Sequence, residues 1–125
     1  MFETIFINDE NKIEAIDAIL EKVGYKVIKT SNENEILCII KKLIPDLFIL
    51  NIKKIKDTDL NICKKIRSIK KFNNVPVVIL SNKLKTIEKK IFFEAGADGF
   101  ITKPFGVNGF IDSVATYLEF REECV

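Results

Sequence analysis

The chain has 125 residues, the size of one domain, and its 47% hydrophobic and 30% charged content is ordinary for a globular protein. It has no histidine, and Cys38, Cys63 and Cys124 form no CxxC pair, which excludes most zinc sites, histidine acid–base catalysis and cysteine–histidine nucleophiles. The net charge is +2, but residues 53–103 hold 13 Lys/Arg against 5 Asp/Glu; a solvated lysine-rich surface is the simplest reading, an anionic partner the sharper one.

Along the chain the hydrophobic period switches repeatedly. "TIFIN" (4–8) is a short apolar run that predicts a strand. Ile13, Ile16, Ile19, Leu20 and Val23 then recur at helical steps, and Gly24 is placed to stop that helix. "YKVIKT" (25–30) predicts a second strand, and Asn32 with Glu35 has the spacing of a capping box. Ile36, Leu37, Ile40 and Leu43 stripe the next helix, and Pro45 and Asp46 turn the chain into a strand at 47–51. A third helix follows, with Thr58 or Asp59 as its cap and Leu60, Cys63, Ile66 and Ile69 inward. "VPVVIL" (75–80) is a fourth strand. Ile87, Ile91 and Ala95 mark a fourth helix closed by Gly96, and "GFIT" (99–102) is a fifth strand. Val107, Phe110, Ile111, Val114, Tyr117 and Leu118 stripe the last helix.

Five strands thus alternate with five helices. Strands that are apolar throughout imply burial on both faces, hence a doubly wound α/β domain with a parallel sheet between helix layers. In such sheets the site lies at the carboxyl ends of the strands. Here those ends carry Asn8 and Asp9, Asn51, Ser81 and Lys103. The cysteines read as packing residues in a reducing cytoplasm. No apolar run approaches the ~20 residues of a membrane span, and Met1 leads straight into a strand with no secretory leader. The expectation is one cytoplasmic domain over residues 1–125.

Four stretches, "IFINDEN", "PDLFILNIK", "VPVVILSNK" and "EAGADGFITKPF", stand in order along the chain. Through them the sequence resembles a response-regulator receiver domain over essentially its whole length. The resemblance implies a flavodoxin-like five-stranded parallel sheet in the order 2-1-3-4-5. It also implies a role for each strand end. The acidic pair that holds a divalent metal falls on Asn8 and Asp9, and the phosphoacceptor on Asn51. The hydroxyl that bonds the phosphoryl group falls on Ser81, the pairing lysine on Lys103, the switch aromatic on Phe100, and a cis peptide before Pro104.

The chemistry departs from that pattern. Acyl-phosphate formation needs an anionic oxygen nucleophile, and the Asn51 amide is neutral. Magnesium prefers carboxylate oxygens, and Asn8 and Asn51 remove two of the three expected. Asp57 and Asp59 lie too far past the strand end to substitute, and Asp46 sits at its other end. The expected protein is a degenerate, pseudo-receiver module of a bacterial two-component system. It would work by protein–protein interaction or self-association through the face of helix 4, strand 5 and helix 5, with no cofactor, no metal and no enzymatic activity. No membrane contact is expected, and this domain alone has only its basic middle to argue for nucleic acid. Asp9 and Lys103 are expected to pair; Asp9 as a helix cap, Ser81 bonded to nearby backbone and Phe100 as core filler are the plainer readings. Two rivals stay open: a conventional phosphorelay receiver carrying an engineered Asn51, and an anion or nucleotide sensor using Lys103 and Lys53.

Overall fold

A computed structural model describes residues 3–9, 15–30, 33–53 and 55–123, with the side chains of 9, 33, 34, 37, 40 and 120–123 outside that description. Among the described residues the order is β1 (Thr4–Asp9), α1 (Ile16–Val23), β2 (Lys26–Thr30), α2 (Glu33–Ile40), β3 (Leu47–Asn51), α3 (Asp57–Ser68), a 3-10 turn (Lys70–Phe72), β4 (Val77–Asn82), α4 (Thr86–Ala95), β5 (Gly99–Lys103) and α5 (Val107–Glu123). The strands form one sheet in the order β2-β1-β3-β4-β5, and every neighbouring pair is parallel. The expected alternation, strand order and doubly wound α/β class are those found.

Alternation along each strand divides the core between the two faces of the sheet. Phe6, Phe48, Leu50, Val77 and Ile79 meet Ile36 of α2, Ile62, Cys63 and Ile66 of α3, and Phe92 and Ala95 of α4. Ile5, Ile7, Leu47, Ile49, Val78 and Leu80 point the other way, onto Ile16 and Leu20 of α1 and Phe110, Val114 and Leu118 of α5. That explains the continuous apolar runs: both the even and the odd positions of a central strand are inside. Burying an aromatic or branched aliphatic side chain contributes ~1.5–3 kcal/mol. On the first face the Phe6, Phe48 and Phe72 rings meet edge to face, at centroid separations of 5.6 and 5.3 Å.

The helix ends have identifiable causes. Gly24 and Gly96 close α1 and α4 at φ 111° and 115°, where a side chain is strained. Gly96 has a second reason to be glycine, since a Cβ there would lie 2.1 Å from Arg67 Cγ. Arg67 Nε donates to Gly96 O at 2.8 Å and Nη1 to Phe72 O at 2.9 Å, while Nη2 meets Asp98 Oδ2. The same Asp98 oxygen accepts the Val77 N–H at 2.8 Å. One guanidinium thus ties α3, the 3-10 turn, the α4 cap and the entries to β4 and β5. At the same amino-terminal edge of the sheet Asp46 Oδ2 accepts the Thr4 N–H at 2.7 Å, far from the strand carboxyl ends.

Some local expectations need correcting. α3 is capped from Lys56, not from Thr58 or Asp59: Asp59 stands in the first turn, and its carboxylate reaches back to the Lys56 N–H at 3.0 Å. Thr30 Oγ1 donates to Glu35 Oε2 at 2.8 Å; Asn32, the other half of the expected box, lies outside the described residues, as does Ile13. Cys63 is buried as expected, but Cys38 is exposed; Cys124 lies outside the described residues. Ile87 and Ile91 do not face the core. They are 60% and 41% exposed, and Phe92 and Ala95 are the inward positions of α4. No helix among the described residues is long and apolar enough to cross a membrane.

Candidate functional site

Register alone gathers the strand-end residues. Asp9 of β1 lies opposite Asn51 of β3, Asn51 opposite Leu80 of β4, Ser81 opposite Thr102 of β5, and Asn82 opposite Lys103. Asn8, Asp9, Asn51, Ser81 and Lys103 therefore share the carboxyl edge of one sheet. The side chain of Asp9 is outside the described residues, so its pairing with Lys103 and its capping of α1 are too. Phe100 is set back, opposite Ile79 in the body of the sheet.

The corner is both buried and neutral at its centre. Asn51 is fully buried, and Asn8 and Ser81 are each 3% exposed. A buried amide oxygen carries no charge with which to attack phosphorus. The same two amides, at 8 and 51, make a donor set that suits magnesium poorly, since that ion favours carboxylates and water. Asp57 is exposed on the first turn of α3, and Asp59 is committed to the cap of that helix. Neither replaces what Asn51 lacks.

Ser81 Oγ donates to the carbonyl of Asn82 at 2.9 Å, so its proton is spent on adjacent backbone, the plainer of the two readings of that residue. Lys103 is half-buried, and the Lys103–Pro104 peptide is cis, as the resemblance implies. Phe100 is half-buried on the α4 side. Its ring stands edge-on to Phe93 at 4.9 Å and Phe92 at 6.2 Å, with Lys89 Nζ 5.9 Å from its centroid. A tyrosine here would carry a hydroxyl able to take a hydrogen bond; phenylalanine has only its rim and face to offer.

A cavity of about 280 Å³ opens beside Ser81, lined by Ile52, Lys53, Ile55, Ser81, Asn82, Lys83, Leu84 and Glu88. It lies between the loop after β3 and the loop after β4. Ile52 is held there by its N–H, which bonds Leu80 O at 2.9 Å. Glu88 accepts the Lys85 N–H at 2.8 Å, which fixes the start of α4. Sequence reasoning missed Ile52, Ile55, Leu84, Lys83 and Glu88. The Lys85–Glu88 spacing was the one available signal, hidden because lysine is an uncommon residue at a helix cap.

With this geometry in place, comparison with known proteins is specific. Residues 5–115 match the family model described as the response regulator receiver domain. The chain is 31% identical over 102 residues to the protein named "Probable transcriptional regulator ycf27" of Porphyra purpurea, covering 81% of this chain and 41% of that one. It is 26% identical over 115 residues to the transcriptional regulatory protein BaeR of Escherichia coli, covering 91% of this chain and 47% of that one. The chain thus spans less than half the length of these relatives. Among solved structures, a response regulator from Thermotoga maritima superposes with a TM-score of 0.83 at 26% identity, covering 95% of this chain and 99% of that chain.

Proposed function

This chain belongs to the response regulator receiver domain family, and we propose that it acts in two-component signalling as a protein-interaction module that is not switched by aspartyl phosphorylation. The observation that carries this reading is Asn51, fully buried at the end of β3, where the family's acceptor aspartate would stand. Asn8 supports it by removing a second carboxylate from the same corner. Switching then falls to partner binding, expression level or a small ligand. The reading takes residues 1–125 as one cytoplasmic, non-enzymatic domain.

The interaction face we favour is that of α4, β5 and α5. Ile87, Ile91 and Phe93 on α4 are 60%, 41% and 51% exposed, and Val107 on α5 is 54% exposed. Exposed apolar side chains can serve an interface where a partner covers them. Phe93 also touches Phe100, so a partner on α4 would feel the position of the β5 aromatic.

A conventional phosphorelay receiver is the second reading, and Ser81 and Lys103 favour it, since both strand ends keep the residue types that chemistry needs. Treatment with acetyl phosphate and magnesium, followed by intact mass spectrometry, separates the two. Neither reading expects an adduct on the chain as it stands; on the Asn51→Asp variant the first, with Asn8 still leaving the corner short of a metal-binding carboxylate, expects none, and the second expects one.

A further inference from the structure

We propose that the cavity beside Ser81 binds a small oxyanion, a phosphate or a short carboxylate, directly, with no metal between ligand and protein. The inference rests on the reading above, that this corner carries no phosphoryl group, and names what the vacated chemistry could serve instead. The first observation is the cavity itself. At about 280 Å³ it falls just short of the ~300 Å³ at which pockets for drug-sized ligands begin, which favours a small occupant. Its lining combines apolar Ile52, Ile55 and Leu84 with polar Lys53, Ser81, Asn82, Lys83 and Glu88. Such a lining can bury a short carbon skeleton while its charged end meets Lys53, Lys83 and Ser81.

The second observation is the sign of the charge. Lys53 and Lys83 both line the cavity, against the single carboxylate of Glu88. That carboxylate already accepts the first N–H of α4's cap, so part of its charge is offset locally. Lys103 lies in backbone register with Asn82 on the neighbouring strand. Asp9 is the one matched carboxylate left at this edge, opposite Asn51. An aspartate at 51 would have set a fixed negative charge next to Ile52 and made the cavity hostile to anions. The buried amide removes that repulsion. In a typical receiver a cation reconciles carboxylates with phosphate; here the lysines can meet an oxyanion without one.

Ser81 completes the donor set. Its proton now goes to Asn82 O at 2.9 Å, and rotation about one side-chain bond would redirect it into the cavity with no backbone change. Lys53 and Lys83 are exposed, so their ammonium groups keep the freedom to close on a ligand.

The test is a chemical-shift titration of the whole chain in magnesium-free buffer with chelator, at fixed ionic strength. One arm uses inorganic phosphate and the other succinate, which separates phosphate from carboxylate recognition. Saturable shifts at the Lys53, Ser81 and Lys83 amides in either arm are expected. The Lys53→Met, Lys83→Met double variant should fold normally, both residues being exposed, and bind about tenfold more weakly, equivalent to ~1.4 kcal/mol. Asn51→Asp should weaken binding at least about threefold by restoring the negative charge. Shifts that never saturate in either arm overturn the proposal, and so does an affinity untouched by the double variant or by Asn51→Asp. Inorganic phosphate transfers no phosphoryl group, so failure here leaves phosphorylation independence standing, whereas an acetyl-phosphate adduct would remove that reading by a different measurement.

Discussion

Asn51 and Cys63 show how much a single buried atom type decides. Both are inside the sheet–helix layers, and burial or neutrality keeps each from acting as a nucleophile. Asn51 lacks charge for covalent chemistry. Cys63 has a thiol, but burial pushes its pKa up to about 11, with a smaller downward pull from Arg67. The thiolate is the reactive form. Cys63 should therefore resist iodoacetamide in the native protein at pH 8, while exposed Cys38 is alkylated readily. Mass mapping of labelled peptides would check this, and Cys63 labelling at the rate of Cys38 would contradict it. Asn51 was legible from sequence because a strand end is easy to find. The environment of Cys63 was legible only in part, from its place on the α3 stripe.

Among the elements, α4 best separates what pattern can and cannot fix. The sequence "TIEKKIFFEA" offers apolar residues at 87, 91, 92, 93 and 95, so more than one helical stripe is possible. Sequence reading chose Ile87, Ile91 and Ala95. The fold buries Phe92 and Ala95, because the sheet beneath α4 presents its core there, and it leaves both isoleucines in solvent. The type of the helix and its stop at Gly96 were readable; its start at Lys85 and its facing were not. Phe92→Ala should cost about 3–5 kcal/mol in a denaturant melt. Ile91→Ala should change stability by no more than about 0.5 kcal/mol and act instead on partner binding. Equal losses would mean that α4 is turned otherwise.

The Arg67 hub joins elements far apart in sequence. Arg67 and Asp98 are separated by 31 residues, and nothing in either neighbourhood signals their pairing. Three acceptors around one guanidinium require a fork, so Arg67→Lys should not substitute. Arg67→Ala should cost ~2–3 kcal/mol, since hydrogen bonds to a charged group contribute about 1.5–3 each and some are replaced by water. Arg67→Lys recovering nearly all of that loss would refute the fork argument. The "GADG" stretch, which helped the resemblance, now has physical content. Gly96 takes φ 115° against Arg67, Asp98 anchors Val77, and Gly99 leaves room where a Cβ would strike the Tyr117 hydroxyl.

At the scale of the whole molecule, parallel register turns distant sequence positions into one edge, the candidate site. The strand-end residues were legible because apolar runs are long and their ends sharp; the strand order came only through the family resemblance. The cavity was not, since Ile52, Ile55 and Leu84 lie in loops without periodicity. The central claim is that a receiver scaffold persists here without its phosphoryl switch. Its most direct test is intact mass spectrometry after incubation with acetyl phosphate and magnesium, beside a conventional receiver treated identically. The account predicts an adduct on the conventional receiver and none on this chain. A phosphoryl adduct on any carboxylate at this sheet edge would contradict it.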